Sequence, residues 1–174
     1  MEVLYAAEQL EDTIRKLAES LVEKHPRPEE VLFVGIQQGG VAVADEIIAA
    51  IHRIKPGLNL LYGQLDITFY RDDVRKEVLA PDTMNLPFDI ENKIVVLIDD
   101  VLFTGRTIKA ALDALLDYGR PAKVELCVLA DRKEHRQFPI QPDYTGVIIS
   151  TQKGDKVKLV RDKDGKKQVV LIPQ

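Results

Sequence analysis

Two adjacent acids, Asp99 and Asp100, close the apolar run Val95-Val96-Leu97-Ile98, and Thr104-Gly105-Arg106-Thr107 follows a few residues on. Carboxylates are costly deep inside a sheet, so at the end of a buried strand they are expected to face a crevice. There they can hold the hydroxyl groups of a ligand. The second segment supplies what a phosphate needs. Glycine lets a ligand approach the backbone closely. A helix N-terminus presents unpaired N–H groups and the positive end of its dipole, and the threonines add hydroxyl donors. The stretch fits a ligand with hydroxyls near one end and a phosphate at the other, and a ribose 5-phosphate has that shape. The rival phosphate motifs are absent: the chain has neither Gly-x-x-x-x-Gly-Lys-Ser/Thr nor Gly-x-Gly-x-x-Gly.

The elements that must position these residues follow from periodicity. Leu10, Ile14, Leu17 and Leu21 line one face of a helix from about Ala6 to Lys24, ended by Pro26 and Pro28. Val31 to Ile36 reads as a buried strand. Gly39-Gly40 opens a second helix with Val43, Ile47 and Ile51 on one side, and Leu60 to Thr68 reads as a strand. Phe69 to Pro87 is polar and aperiodic, a length that marks a functional loop or a missed element. Ile94 to Ile98 has the continuous apolar character of a strand buried on both faces. A helix over Thr104 to Tyr118 carries Ile108, Ala111, Leu112 and Leu115 inward, and strands are expected over Lys123 to Ala130 and Thr145 to Thr151. Asp164-Gly165, between Val157 to Val160 and Val169 to Ile172, signals a hairpin. Strands alternating with helices predict an α/β fold with a mainly parallel sheet covered on both faces. Ligands bind such sheets at the carboxyl ends of the strands, which points to Gly35–Gly40 and Asp99–Thr107.

The 174 residues suit one domain with a real core. No apolar run approaches the ~20 residues needed to span a bilayer. Met1-Glu2-Val3-Leu4 does not read as a secretory signal, so a cytoplasmic protein with no membrane partner is expected. The single cysteine, Cys127, excludes an internal disulfide and a cysteine-based zinc cluster, and reads as a buried structural thiol. His25, His52 and His135 are not arranged as a metal site, and His25 and His52, at helix ends, read as surface residues. The net charge of −4 argues mildly against nonspecific nucleic-acid binding, which rests on neutralising phosphates.

Val95 to Thr107 resembles the phosphoribosyl pyrophosphate (PRPP) signature of type I phosphoribosyltransferases. The wider chain is similar to the PyrR family, the bifunctional pyrimidine-operon attenuators with uracil phosphoribosyltransferase activity. The similarity is carried by Leu65-Asp66-Ile67-Thr68-Phe69-Tyr70-Arg71-Asp72-Asp73, the PRPP signature, Ala111 to Pro121, and Val128-Leu129-Ala130-Asp131-Arg132 running to Ile140. These pieces keep the family's order. The resemblance implies a type I phosphoribosyltransferase fold with a small hood and a C-terminal β-hairpin. It implies a single domain over 1–174, with a core over about 6–130 and the hood and hairpin over about 131–174. It further implies a pentosyl transfer from PRPP to uracil that gives UMP and pyrophosphate, with Mg2+ as cofactor and a homodimer or higher homo-oligomer.

By the same resemblance, Asp99 and Asp100 hold the ribose hydroxyls directly or through magnesium-bound water, with no direct metal ligand. Val101, Leu102 and Phe103 continue the PRPP site, and Thr104, Gly105, Arg106 and Thr107 hold the 5-phosphate. Gln37, Gln38 and Gly39 belong to the pyrophosphate loop. Arg71, a catalytic candidate, lies with Arg75 and Lys76 on a lid over PRPP. Asp131, Arg132 and Ile140 belong to the hood over the base.

The chain also departs from the family. Where the family has Gly-Ile-Lys-Thr-Arg-Gly, this chain has Gly35-Ile36-Gln37-Gln38-Gly39-Gly40. The hood's Pro-Ile-Arg becomes Pro139-Ile140-Gln141, a basic position after Gly146 is Val147, and Glu19 replaces a histidine of the first helix. Each lost cation weakens an electrostatic RNA interface, so weak RNA binding is expected. Three functions follow: a uracil phosphoribosyltransferase, a UMP- and PRPP-sensing RNA-binding regulator with little activity, and a type I transferase for another base.

Overall fold

The computed structural model describes residues 1–68, 84–86 and 88–174. Its element order is β1 (Glu2–Tyr5), α1 (Ala7–Lys24), β2 (Val31–Ile36), α2 (Gly39–Ile54), β3 (Leu61–Leu65), β4 (Met84–Asn85), β5 (Ile94–Leu102), α3 (Arg106–Leu116), β6 (Lys123–Asp131), β7 (Tyr144–Ile148), β8 (Lys156–Arg161) and β9 (Lys167–Ile172). A six-stranded sheet runs β4-β3-β2-β5-β6-β7, with β4 antiparallel at one edge and the other five strands parallel. A smaller antiparallel sheet has the order β1-β9-β8.

The central strands are apolar at nearly every position because both faces are covered. Alternate side chains go to opposite faces. Val31, Phe33, Val96, Ile98, Cys127 and Leu129 face α1 and α2, while Leu32, Val34, Val95, Leu97, Leu126 and Val128 face α3. The α1 stripe of Leu10, Ile14, Leu17 and Leu21 is buried as its spacing predicts. Each such side chain contributes about 2 kcal/mol on leaving water. The C-terminal hairpin joins the first of these layers through Val169, with Val157 and Leu159 packed beside it. Cys127 is buried, and that burial pushes its thiol up to about 12. Among the described residues no helix is long and apolar enough to cross a membrane.

Several boundaries differ from expectation. β3 stops at Leu65 rather than Thr68, because the Asp66 carboxylate turns the chain by accepting the Thr68 N–H at 2.9 Å and its hydroxyl at 2.7 Å. α3 begins at Arg106 rather than Thr104, because Gly105 has φ +91° and the Thr104 carbonyl is taken by Gln137 and Phe138. β7 covers Tyr144–Ile148, shorter than Thr145 to Thr151 at its far end. β1 and β4 carry too few residues for a periodic signal. His25 is not a surface residue. Its backbone N–H caps the end of α1 by donating to the Leu21 carbonyl at 2.8 Å, and its ring meets the buried Glu125 at 2.6 Å.

Candidate active site

The carboxyl ends of β2 and β5 carry the predicted site, and the helices that follow close around it. β5 runs four residues past Ile98, paired with β6 through Val101–Ala130 and Leu102–Asp131. Asp99 and Asp100 therefore sit inside the strand, not after it. Asp99 is only 6% exposed and Asp100 is half-buried. Each acid accepts the next residue's backbone N–H: Asp99 Oδ1 accepts the Asp100 N–H at 2.9 Å, and Asp100 Oδ1 accepts the Val101 N–H at 2.8 Å. Burial, and then the charge of Asp100, push the Asp99 carboxyl well above the ordinary carboxylate range.

Two glycines let α2 approach this pair. A Cβ on Gly39 would run into the Asp100 carboxylate, and one on Gly40 would collide with the Ile98 carbonyl and stand 3.0 Å from the Asp99 Cα. The start of α2 thus lies directly against the acids. Gln37 and Gln38, the exposed residues before it, are joined by a cis peptide bond. Gln37 donates its N–H to the Leu65 carbonyl at 2.9 Å.

Beyond β5, the residues Phe103 to Gly105 turn into α3. The left-handed Gly105 precedes the helix, and its first N–H groups lack partners within the helix. A cavity of about 250 Å3 is lined by Asp99, Val101, Leu102, Phe103, Thr104, Gly105, Arg106 and Thr107, so the structure gathers these predicted residues in one place. Asp100 lies beside Gly39 instead. Arg71, Arg75 and Lys76 lie outside the described residues.

The segment after β6 covers this loop, and sequence reasoning missed how. Arg136 donates to the Phe103 carbonyl and to the Asp131 carboxylate, both at 2.7 Å. The Thr104 carbonyl accepts the N–H groups of Gln137 at 2.8 Å and Phe138 at 3.2 Å. Arg106 donates through Nε to Gln137 Oε1 at 3.0 Å and lies over the Phe138 ring at 5.5 Å. No local pattern signals these residues, because their partners in the turn, Phe103, Thr104 and Arg106, are about thirty positions away. Asp131 and Ile140, predicted in the hood, line a second cavity of about 400 Å3 with Arg136 and Phe138. Arg132 lines neither cavity. Its side chain is 3% exposed and packs over the Phe103 ring at 3.9 Å.

A buried strand end, an anion-receptive helix start and a covering segment form one crevice, and comparison with known proteins agrees. Residues 2–170 match the model of the phosphoribosyl transferase domain family. The chain is 46% identical to the "Bifunctional protein PyrR" of Picosynechococcus sp., across 97% of this chain and 96% of that protein. It is 41% identical to the protein of the same name from Elusimicrobium minutum, across 95% and 93%. A hypoxanthine phosphoribosyltransferase of Trypanosoma cruzi superposes with a TM-score of 0.73 over 99% of this chain and 97% of that one, at 18% identity, which speaks to the fold. By domain match, full-length similarity and fold, the chain belongs to the PyrR family of type I phosphoribosyltransferases.

Proposed function

We propose that this protein transfers the phosphoribosyl group of PRPP to uracil, giving UMP and pyrophosphate. The observation that carries the proposal is the cavity that joins Asp99 to the Gly105-led start of α3 beneath the hood. In it the ribose hydroxyls meet Asp99, with Asp100 next to it against Gly39, and the 5-phosphate meets the N–H groups and threonine hydroxyls at the α3 N-terminus. The pyrophosphate lies toward Gln37, Gln38 and Gly39, where the missing side chain of Gly39 lets this loop lie directly against the Asp100 carboxylate. The carboxylate oxygens of Asp99 and Asp100 would suit Mg2+ held through water and the ligand's own oxygens. When bound, the ion spreads the negative charge of the departing pyrophosphate.

The reaction breaks the bond from the anomeric carbon to pyrophosphate and forms one to a base nitrogen, which gives up its proton to water. Its transition state resembles an oxocarbenium ion, as in glycoside cleavage. No side chain need act as nucleophile, so catalysis rests on positioning and electrostatics. Uracil as the base, a homo-oligomer and a cytoplasmic setting rest on membership of the PyrR family, to which the relatives named "Bifunctional protein PyrR" point. A single domain over 1–174 is supported by the packing of the C-terminal hairpin onto the main core. The RNA-regulator reading is weakened by the state of three cations that could rebuild a basic surface. Arg15 is paired with Asp12 and Glu19, Lys16 with Asp12, and Arg136 with Asp131.

The test is a PRPP-dependent assay across free bases, on the natural chain and on Asp99→Asn with Asp100→Asn. Uracil turnover that disappears in a folded double variant is the expected result. Unchanged turnover in that variant would sink the PRPP assignment, and preference for another base would overturn uracil.

A further inference from the structure

Thr151 lies in the connector between β7 and β8, outside both cavities, yet one short stretch holds all three of its polar atoms. Its N–H donates to Glu134 Oε1 at 2.6 Å. Its carbonyl accepts from His135 Nε2 at 2.8 Å, which places a proton on that nitrogen, since a carbonyl only accepts. Its hydroxyl accepts from Arg132 Nε at 2.8 Å. The Thr151 N–H in turn holds the Glu134 carboxyl below its ordinary range.

Arg132 is fixed further by donating through Nη2 to the Gln152 carbonyl at 3.1 Å. A planar guanidinium held along one edge has its orientation set. Here that orientation brings it over the Phe103 ring at 3.9 Å, while the His135 ring meets the same aromatic edge-on, with centroids 5.2 Å apart. Phe103 is a wall of the 250 Å3 cavity and the residue from which the turn into α3 departs. The Arg132 N–H also donates to the Leu102 carbonyl at 2.9 Å, one residue earlier in that turn.

We propose that Arg132 is a positioning residue: locked by Thr151, it sets Phe103 and thereby the backbone that receives the 5-phosphate of PRPP. It does not read the base. The connector to the C-terminal hairpin is thus coupled to the phosphate loop, and PRPP affinity depends on the hydroxyl of a residue that touches no substrate. This rests on the reading of the cavity as the ribose-phosphate site.

The experiment measures kcat and separate KM values for PRPP and uracil in T151V, T151S and R132K, with a thermal melt of each. T151V keeps the side-chain shape and removes the acceptor. T151S keeps the hydroxyl. R132K keeps the charge and loses the flat, edge-held group. T151V and R132K are expected to raise the PRPP KM about tenfold, since small misplacements of a binding group are costly. The uracil KM should stay within about twofold of the natural value, and T151S should match the natural protein. The inference is overturned if T151V behaves as the natural chain, if the uracil KM moves instead, or if T151S is as impaired as T151V. Should T151V not fold, R132K decides by the same split. If the natural chain turns over no base, the proposed function fails on its own. Calorimetric binding of ribose 5-phosphate then decides the inference: about tenfold weaker binding in the variants upholds it, and equal or no binding throughout overturns it.

Discussion

Replacing Glu125 with glutamine tests how the buried polar cluster at the opposite end of β6 from the site supports the fold. Glu125 is 1% exposed and accepts four hydrogen bonds: from Lys24 at 2.7 Å, His25 at 2.6 Å, Lys123 at 3.0 Å and Tyr144 at 2.9 Å. Desolvation raises its carboxyl, but the four donors together outweigh that and bring it from 4.5 down to about 2. At roughly 1.4 kcal/mol per pH unit, the charged state contributes about 3 kcal/mol. The sign follows from a depressed folded-state value. The contribution is fully present above 4.5, where the unfolded carboxyl is also ionised, and is lost as the pH falls through about 2. Glutamine retains one acceptor oxygen, so E125Q should lose about 2–3 kcal/mol at pH 7. In a chain of this size that lowers Tm by about 4–12 °C. Urea unfolding of both proteins from pH 7 to pH 3 should show the gap narrowing as the natural protein loses its advantage. A gap that is absent at pH 7, or constant across that range, would refute the reasoning. Uracil turnover below the melting range should be unchanged, because the cluster lies far from the crevice.

Two further outcomes are expected. Gly40→Ala places a methyl group against the Ile98 carbonyl and the Asp99 backbone, which cannot rotate away. It should cost about 2–3 kcal/mol in urea unfolding and lower PRPP turnover, and a neutral effect on both would contradict the close packing of α2 on β5. Binding to a pyrimidine-operon leader RNA in a gel shift at physiological salt should be much weaker than for the related attenuators. Gln37, Gly39, Gln141 and Val147 supply no charge there, and Arg15 and Lys16 are already paired with acids. A tight, sequence-specific complex would show that the surface is rebuilt elsewhere.

The layered α/β order and the Asp99–Thr107 turn are legible along the chain, because both are written in neighbouring residues. Continuous apolar runs mark strands buried on two faces, the steps of Leu10, Ile14, Leu17 and Leu21 mark a helix face, and Asp99 to Thr107 is contiguous. Tertiary structure decided where those elements stop and what their polar residues touch. The acids at 99 and 100 look like a strand end in a linear reading. In the fold β5 continues through them to Leu102, because Gly39 and Gly40 let α2 pack against them, while β6 ends at Asp131, whose carboxylate pairs with Arg136. His25 reads as a surface residue until β6 brings Glu125, a hundred positions later, to its ring. Nothing near Arg132 in the sequence announces that Thr151 holds its guanidinium over the Phe103 ring. Periodicity is a local property of the backbone, whereas the partner of a buried charge is chosen by topology, and no spacing along the chain encodes it.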